Sequence, residues 1–207
     1  MRVCLSAAWL ICAALASAVV AQEGPSFDCA NADGAAEDLI CADPELAGLD
    51  RRLAARYAAA LAAVRGLDSG AQAAEDELRA TQRGWIAGRD ECWKVEDLHD
   101  CVETSYLRRE GALVARWMLE IPTGTAFWAC GGNPANEVVT AFFATELPSV
   151  RFERRDTIET GWQVRSGSGA RYASSFGREI WIKGQEARYR EPDPDGTVYG
   201  CVLSRED

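Results

Sequence analysis

Histidine is nearly missing from this chain: His99 is the only one in 207 residues. Nucleophilic catalysis by a Ser-His or Cys-His pair, or zinc held by several imidazoles, therefore has almost no material to work with. Basic residues are also short, 22 Lys plus Arg against 32 Asp plus Glu, for a net charge of −10. Phosphate backbones need clustered positive charge, so nucleic-acid binding is excluded as the main role. Lysine is rarer still, with only Lys94 and Lys183. No C-x-x-C occurs, which removes the usual spacing of zinc and thioredoxin-type redox sites. Beyond the first 21 residues no apolar run is long enough to span a bilayer. What remains is an ordinary globular composition, 48% apolar and 26% charged.

Residues 1–21, MRVCLSAAWLICAALASAVVA, read as an export leader. Arg2 supplies the positive start and Val3 to Val20 carries no charge. Val19 and Ala21 put small residues at the −3 and −1 positions of a cleavage site before Gln22. Cys12 follows Trp9-Leu10-Ile11, without the small residue that a lipidation site needs before its Cys. The mature chain is thus expected to be 22–207, soluble, periplasmic or secreted. Losing Arg2 takes the net charge from −10 to −11. Six Cys remain (29, 41, 92, 101, 130 and 201), an even number in an exported chain, which implies three disulfides.

The mature chain divides near residue 122, and the expected fold class is α+β in two modules. From 33 to 119 the apolar period is helical. Asp43-Pro44 is a start signal, an acid to cap and a Pro for the first turn. Leu46, Leu49, Leu53, Tyr57, Leu61 and Val64 form one stripe, and Gly66 to Gly70 ends it, with Ser69 placed to cap the next helix. Ala74, Leu78, Thr81, Trp85 and Cys92 continue, then Leu98, Val102, Tyr106, Leu113 and Trp117. Three helices with short loops predict an up-down bundle over 22–121. Asp50, Arg83 and Arg89 sit beside these stripes, where a charge must be paired, so all three are expected to be structural.

Ile121-Pro122-Thr123-Gly124 breaks the pattern. After it come short β-branched and aromatic runs: Phe127-Trp128-Ala129, Val138 to Phe143, Thr157 to Val164 and Glu179 to Lys183. Asp195-Gly196 is a two-residue hairpin signal. This texture predicts a small antiparallel barrel or sandwich over 122–207. Charge divides at the same place, −9 before 122 and −2 after it. Cores of this size are marginal, which accounts for the cysteines.

Few side chains suggest chemistry. Ser166-Gly167-Ser168-Gly169 is close to the G-x-S-x-G nucleophile elbow but lacks its first Gly, and no helix follows. Glu191-Pro192-Asp193-Pro194-Asp195-Gly196 looks like half a calcium loop, but Val202 stands where the closing Glu belongs, so a Pro-stiffened turn is the better reading. His99 reads as a surface residue. Arg165, Arg171, Arg178 and Lys183 cluster around the Gly-rich segment of an otherwise acidic protein. They can be a solvated loop face or a basic finger for an acidic partner site.

Ser168-Gly169-Ala170-Arg171-Tyr172, followed by Trp181-Ile182-Lys183-Gly184-Gln185-Glu186-Ala187, closely resembles the S-G-x-x-Y and W-x-K-G-x-E-A motifs of the MliC/PliC family. These are bacterial periplasmic inhibitors of c-type lysozyme. The resemblance covers 125–203 and implies a small antiparallel β-barrel closed by a disulfide, here Cys130–Cys201. The first module is similar to the N-terminal domain of LprI-type lysozyme inhibitors. Cys29, Glu37, Cys41, Pro44-Glu45-Leu46, Leu49-Asp50, Tyr57, Gln82-Arg83, Trp85, Arg89-Asp90, Cys92, Cys101, Tyr106 and Arg109 carry that likeness. Cys29–Cys41 and Cys92–Cys101 are the expected pairs there; the two other pairings of these four remain open.

The family resemblance implies that a loop bearing the motif Ser enters the lysozyme cleft, and that this Ser and the motif Lys meet the catalytic carboxylates. The corresponding residues are Ser168 and Lys183. Gly169 and Tyr172 complete the expected lysozyme-binding set: Gly169 lets the backbone approach closely, and Tyr172 braces the loop against the barrel. The segment between Ser168 and Lys183 is one residue longer than in typical members, around Ser175-Phe176-Gly177. The implied partner is a c-type lysozyme. No enzymatic activity, cofactor, metal, nucleic acid or stable membrane insertion after cleavage is expected. The competing class is an envelope module that binds peptidoglycan or another exported protein without inhibiting anything.

Overall fold

The computed structural model describes residues 24–206; the leader proposed for 1–21 lies outside them. Among the described residues, four α-helices precede eight strands. They are α1 (Ala35–Ala42), α2 (Pro44–Arg65), α3 (Ala71–Asp90) and α4 (Leu98–Trp117), then β1 (Gly124–Cys130), β2 (Glu137–Phe143), β3 (Ser149–Arg154), β4 (Thr157–Val164), β5 (Ala170–Ser174), β6 (Glu179–Lys183), β7 (Glu186–Arg190) and β8 (Val198–Glu206). The three long helices fall where the stripes place them. The added α1 is a two-turn segment whose Ala36 and Ile40 are buried in the helical core.

Local chemistry explains the helix ends. The Asp43 carboxylate accepts from the amides of Glu45 (2.8 Å) and Leu46 (3.2 Å), with Pro44 in the first turn. Asp97 caps α4 by accepting from the Asp100 amide at 3.0 Å. Ser69 does not cap α3: Gly70 occupies the cap position in the left-handed region at φ 72° and no side-chain cap bond forms. The core joins Ile40, Leu46, Leu53, Val64, Leu78, Val102, Tyr106 and Leu113. Thr81, counted in the α3 stripe, is exposed.

Two of the three charges expected to be structural are buried. Asp50 accepts from the Ser26 amide (2.6 Å) and from the Tyr106 hydroxyl (2.8 Å). Arg89 donates to the same hydroxyl (2.9 Å) and pairs with Glu37 (3.1 Å) and Asp90 (2.6 Å). Burial pushes the Tyr106 hydroxyl well above the usual phenol range, keeping it neutral and able to relay between the two charges. Arg83 instead is exposed on α3, so its position beside the stripe does not draw it inward.

The strands pair in sequence order and β1 closes on β8, giving an eight-stranded antiparallel barrel. Alternation sends Trp128, Val138, Val150, Phe152, Tyr172, Ile180 and Tyr189 into its interior. Three disulfides form, Cys29–Cys41, Cys92–Cys101 and Cys130–Cys201, and the last joins directly paired residues of β1 and β8. Asp195-Gly196 is not a two-residue hairpin. It lies within the seven-residue 191–197 connection, which contains a cis Asp193–Pro194 bond. The two-residue turns are instead at 155–156 and 184–185.

The modules are packed together. Val114 and Ala115 of α4 meet Ala141 and Phe143 on the outer face of β2. Gly111 lies so close that a Cβ there would stand 2.9 Å from the Ser149 Cβ. Arg151 donates to the Arg116 carbonyl (2.5 Å), Arg116 donates in turn to the Ile158 carbonyl, and Arg52 reaches Glu146 (2.6 Å). The Arg108 guanidinium lies 4.4 Å from the centroid of the Trp162 ring. One face of the barrel is thereby covered.

Candidate functional site: a loop and a strand end held by one indole

The segment 165–169 joins β4 to β5, and its Ser168 and Gly169 are exposed. Gly169 takes φ 67°, and a Cβ on it would fall 2.0 Å from the Ile182 carbonyl oxygen and 3.1 Å from the Lys183 Cγ. Only glycine allows this contact, on both counts of conformation and space. Ala170 pairs with Ile182. The loop is thus pressed against the end of β6, with Ser168 one residue from the contact and Lys183 on its other side.

Lys183 is exposed and ends β6 at the Gly184-Gln185 turn, where Gly184 adopts φ 61°. Trp181 stands two residues earlier on the same outer face. Its indole N–H donates to the Ser168 carbonyl at 2.8 Å, while the Lys183 ammonium lies 3.7 Å from the centroid of a Trp181 ring. A second tie holds the loop: the Ser166 hydroxyl donates to the same carbonyl at 2.7 Å. Trp181 therefore positions both groups. The one-residue spacing of W-x-K is the sequence signal for that shared face, and reading Trp181 only as a motif letter missed its role.

Tyr172 points inward from β5, buried, with its ring 5.3 Å from that of Phe142. Burial raises its hydroxyl pKa. The ring thus belongs to the barrel core and not to the exposed surface of the loop. The basic cluster splits. Arg165 and Lys183 are exposed, and Arg171 pairs with Glu179 at 2.5 Å. Arg178 is buried and donates to the Tyr189 hydroxyl (3.2 Å), which donates in turn to Glu191 (3.2 Å). Arg178 therefore belongs to the barrel interior and not to a finger, because its place at the foot of β6 turns it into the core. The segment around Phe176 forms the 3-10 turn Ser175–Gly177 at the β5–β6 connection.

The other candidates are accounted for locally. Asp193 pairs with Arg190 (2.7 Å), and the Asp195 carboxylate accepts from Thr197. Position 99 places an imidazole nitrogen 3.0 Å from the Asp43 carboxylate at the α2 cap.

Two family matches run along the chain in order. Residues 29–121 match the family described as "Lysozyme inhibitor LprI", and residues 128–197 match "Membrane-bound lysozyme-inhibitor of c-type lysozyme", MliC. The boundary between the matches coincides with the change from helices to barrel. Curated relatives include "Lipoprotein LprI" of Mycobacterium bovis and of Mycobacterium tuberculosis. Each is 30% identical over 185 residues, covering 87% of this chain and 85% of the relative.

Proposed function

The chain belongs to the LprI lysozyme-inhibitor family, with an MliC module as its second half, and we propose that it is an exported inhibitor of c-type lysozyme. It works as a binding protein rather than a catalyst, in the periplasm or outside the cell. The observation that carries the mechanism is the convergence of an exposed Ser168 loop and an exposed Lys183 on one indole. That geometry offers a hydroxyl and an ammonium side by side at one rim of a rigid barrel.

A c-type lysozyme cleft holds two carboxyl groups, one ionised and one kept protonated near neutrality. In the proposed complex the rim enters the cleft. The Lys183 ammonium pairs the ionised carboxylate, and the Ser168 hydroxyl donates to an oxygen of either group. Water is excluded on both sides, so each contact gains from the lowered dielectric. Tyr172 braces the loop from inside the barrel, and Gly169 sets its close approach to β6.

The test is the clearing of a cell-wall suspension by c-type lysozyme in the presence of the whole 22–207 chain. The intact chain is the right material, because α4 covers one face of the barrel. Wild type should inhibit. Lys183→Ala should fold and lose about 2–5 kcal/mol of affinity, the scale for leaving a desolvated charge unpaired. Ser168→Ala should lose less, about 1–3 kcal/mol. Folded variants that inhibit as well as wild type would remove both residues from the mechanism. A wild-type chain that binds cell wall and leaves the enzyme unaffected would favour the non-inhibitory module.

A further inference from the structure

The barrel carries apolar positions on its outer surface as well as inside. Around Ala141 and Phe143 on β2 they are covered by α4. The outer face of β6 to β8 is open. Alternation sends Trp181 and Lys183 of β6 outward, with Glu186, Arg188 and Arg190 of β7 and Val198, Gly200 and Val202 of β8. The cross-strand register aligns them in rows: Trp181 beside Arg188 beside Gly200, Lys183 beside Glu186 beside Val202, and Glu179 beside Arg190 beside Val198. Val198 and Val202 are 48% and 58% exposed. Gly200 carries no side chain between them, so shallow hollows open on both sides of Trp181.

We propose that this open face is part of the lysozyme footprint, with Trp181 as its anchor and Val198 and Val202 as apolar contacts beyond the Ser168–Lys183 rim. This rests on the inhibitor reading. Two observations select this occupant. The face is continuous with the rim through Trp181, which holds both Ser168 and Lys183. It is also locally basic in an acidic protein: among the described residues Lys183 and Arg188 have no paired carboxylate, which suits the surroundings of a carboxylate-bearing cleft. An aromatic anchor ringed by smaller contacts that exclude water is the usual layout of a tight interface.

The two valines provide a charge-balanced test. Val198 pairs with Arg190, so Val198→Glu gains an opposite charge across the strands; Val202 pairs with Glu186, so Val202→Arg does the same. Both variants should therefore fold, to be checked by melting temperature, while changing net charge in opposite directions. Binding of the whole mature chain to egg-white c-type lysozyme is measured by surface plasmon resonance. Both variants should weaken binding about tenfold or more, mainly through faster dissociation. Val95→Glu, on the distant helical module, should not. If Lys183→Ala weakens binding while both valine variants stay within about twofold of wild type, the extended footprint is wrong and the rim mechanism stands. Opposite effects that follow the sign of the new charge would overturn an apolar contact. A wild-type chain that does not bind lysozyme overturns this proposal together with the reading beneath it.

Discussion

At the scale of single residues, the Arg89 guanidinium decides more than any exposed charge. It lies buried between Trp85 and Tyr106, 5.6 and 5.8 Å from their ring centroids, while its nitrogens serve Tyr106, Glu37 and Asp90. Its planar fork reaches these groups from one position, which a lysine ammonium does not reproduce. Arg89→Ala should destabilise the protein by about 3 kcal/mol, as expected when a buried charge network loses one member. Arg89→Lys should recover less than half of that. Chemical denaturation with the disulfides intact reads both; an Arg89→Ala protein as stable as wild type would show that the network contributes nothing. Arg83→Ala, on the exposed side of α3, should change stability by less than about 0.5 kcal/mol in the same experiment.

At the scale of elements, the α2 cap and the α4–barrel contact each carry a prediction. The amides of Leu46 and Glu45, helped by His99, hold the Asp43 carboxyl below its ordinary pKa near 3.8. A depressed folded pKa contributes stability that is present above the unfolded value. That stability is lost as pH falls through the folded value. The melting temperature should therefore drop below about pH 4, and Asp43→Asn should flatten part of that drop while keeping the cap. Glu75, held near 2 by Arg65 and Arg79, titrates in the same window and leaves the remainder. At the domain contact, Gly111→Ala adds helix propensity worth about 1 kcal/mol but forces a Cβ into Ser149, at about 1–3 kcal/mol for overpacking. The clash should win, giving a net loss. Ser149→Gly in the same chain should show favourable coupling with Gly111→Ala in a double-mutant cycle. Additive effects would mean that α4 and β3 adjust independently.

At the scale of the whole molecule, charge is uneven. Residues 22–207 carry a net −11, with −9 of it before residue 122, whereas Lys183 and Arg188 on the Trp181 face of the barrel have no paired carboxylate among the described residues. In the proposed complex with a cationic lysozyme, the net charge would attract at long range, while the local basic face would meet the cleft carboxylates at short range. Association should therefore slow as salt rises from low to physiological strength, where the Debye length is about 8 Å. Dissociation, governed by desolvated contacts, should change much less. Stopped-flow association measured across ionic strengths checks this. A rate independent of salt would remove the steering argument and leave inhibition untouched.

The amino-acid order by itself determined the helical first half, the barrel-like second half, the disulfide count and the motif that points to Ser168 and Lys183. These are properties of period, of local capping chemistry and of short spacing, and each can be read within about twenty consecutive residues. It misplaced Ser69, Arg83, Arg178 and the Asp195-Gly196 turn: Gly70 takes the cap position beside Ser69, Arg83 faces solvent, and Asp195-Gly196 lies inside a longer connection. Arg178 is turned inward to the buried Tyr189 hydroxyl, which donates in turn to Glu191 at the start of the 191–197 connection. Gly169 needs its glycine because the carbonyl of Ile182 lies against it. The role of Trp181, the closure of β1 on β8 and the seating of α4 on one barrel face arise from strand register and helix packing. Those are contacts between segments tens of residues apart, and only the folded chain brings them together.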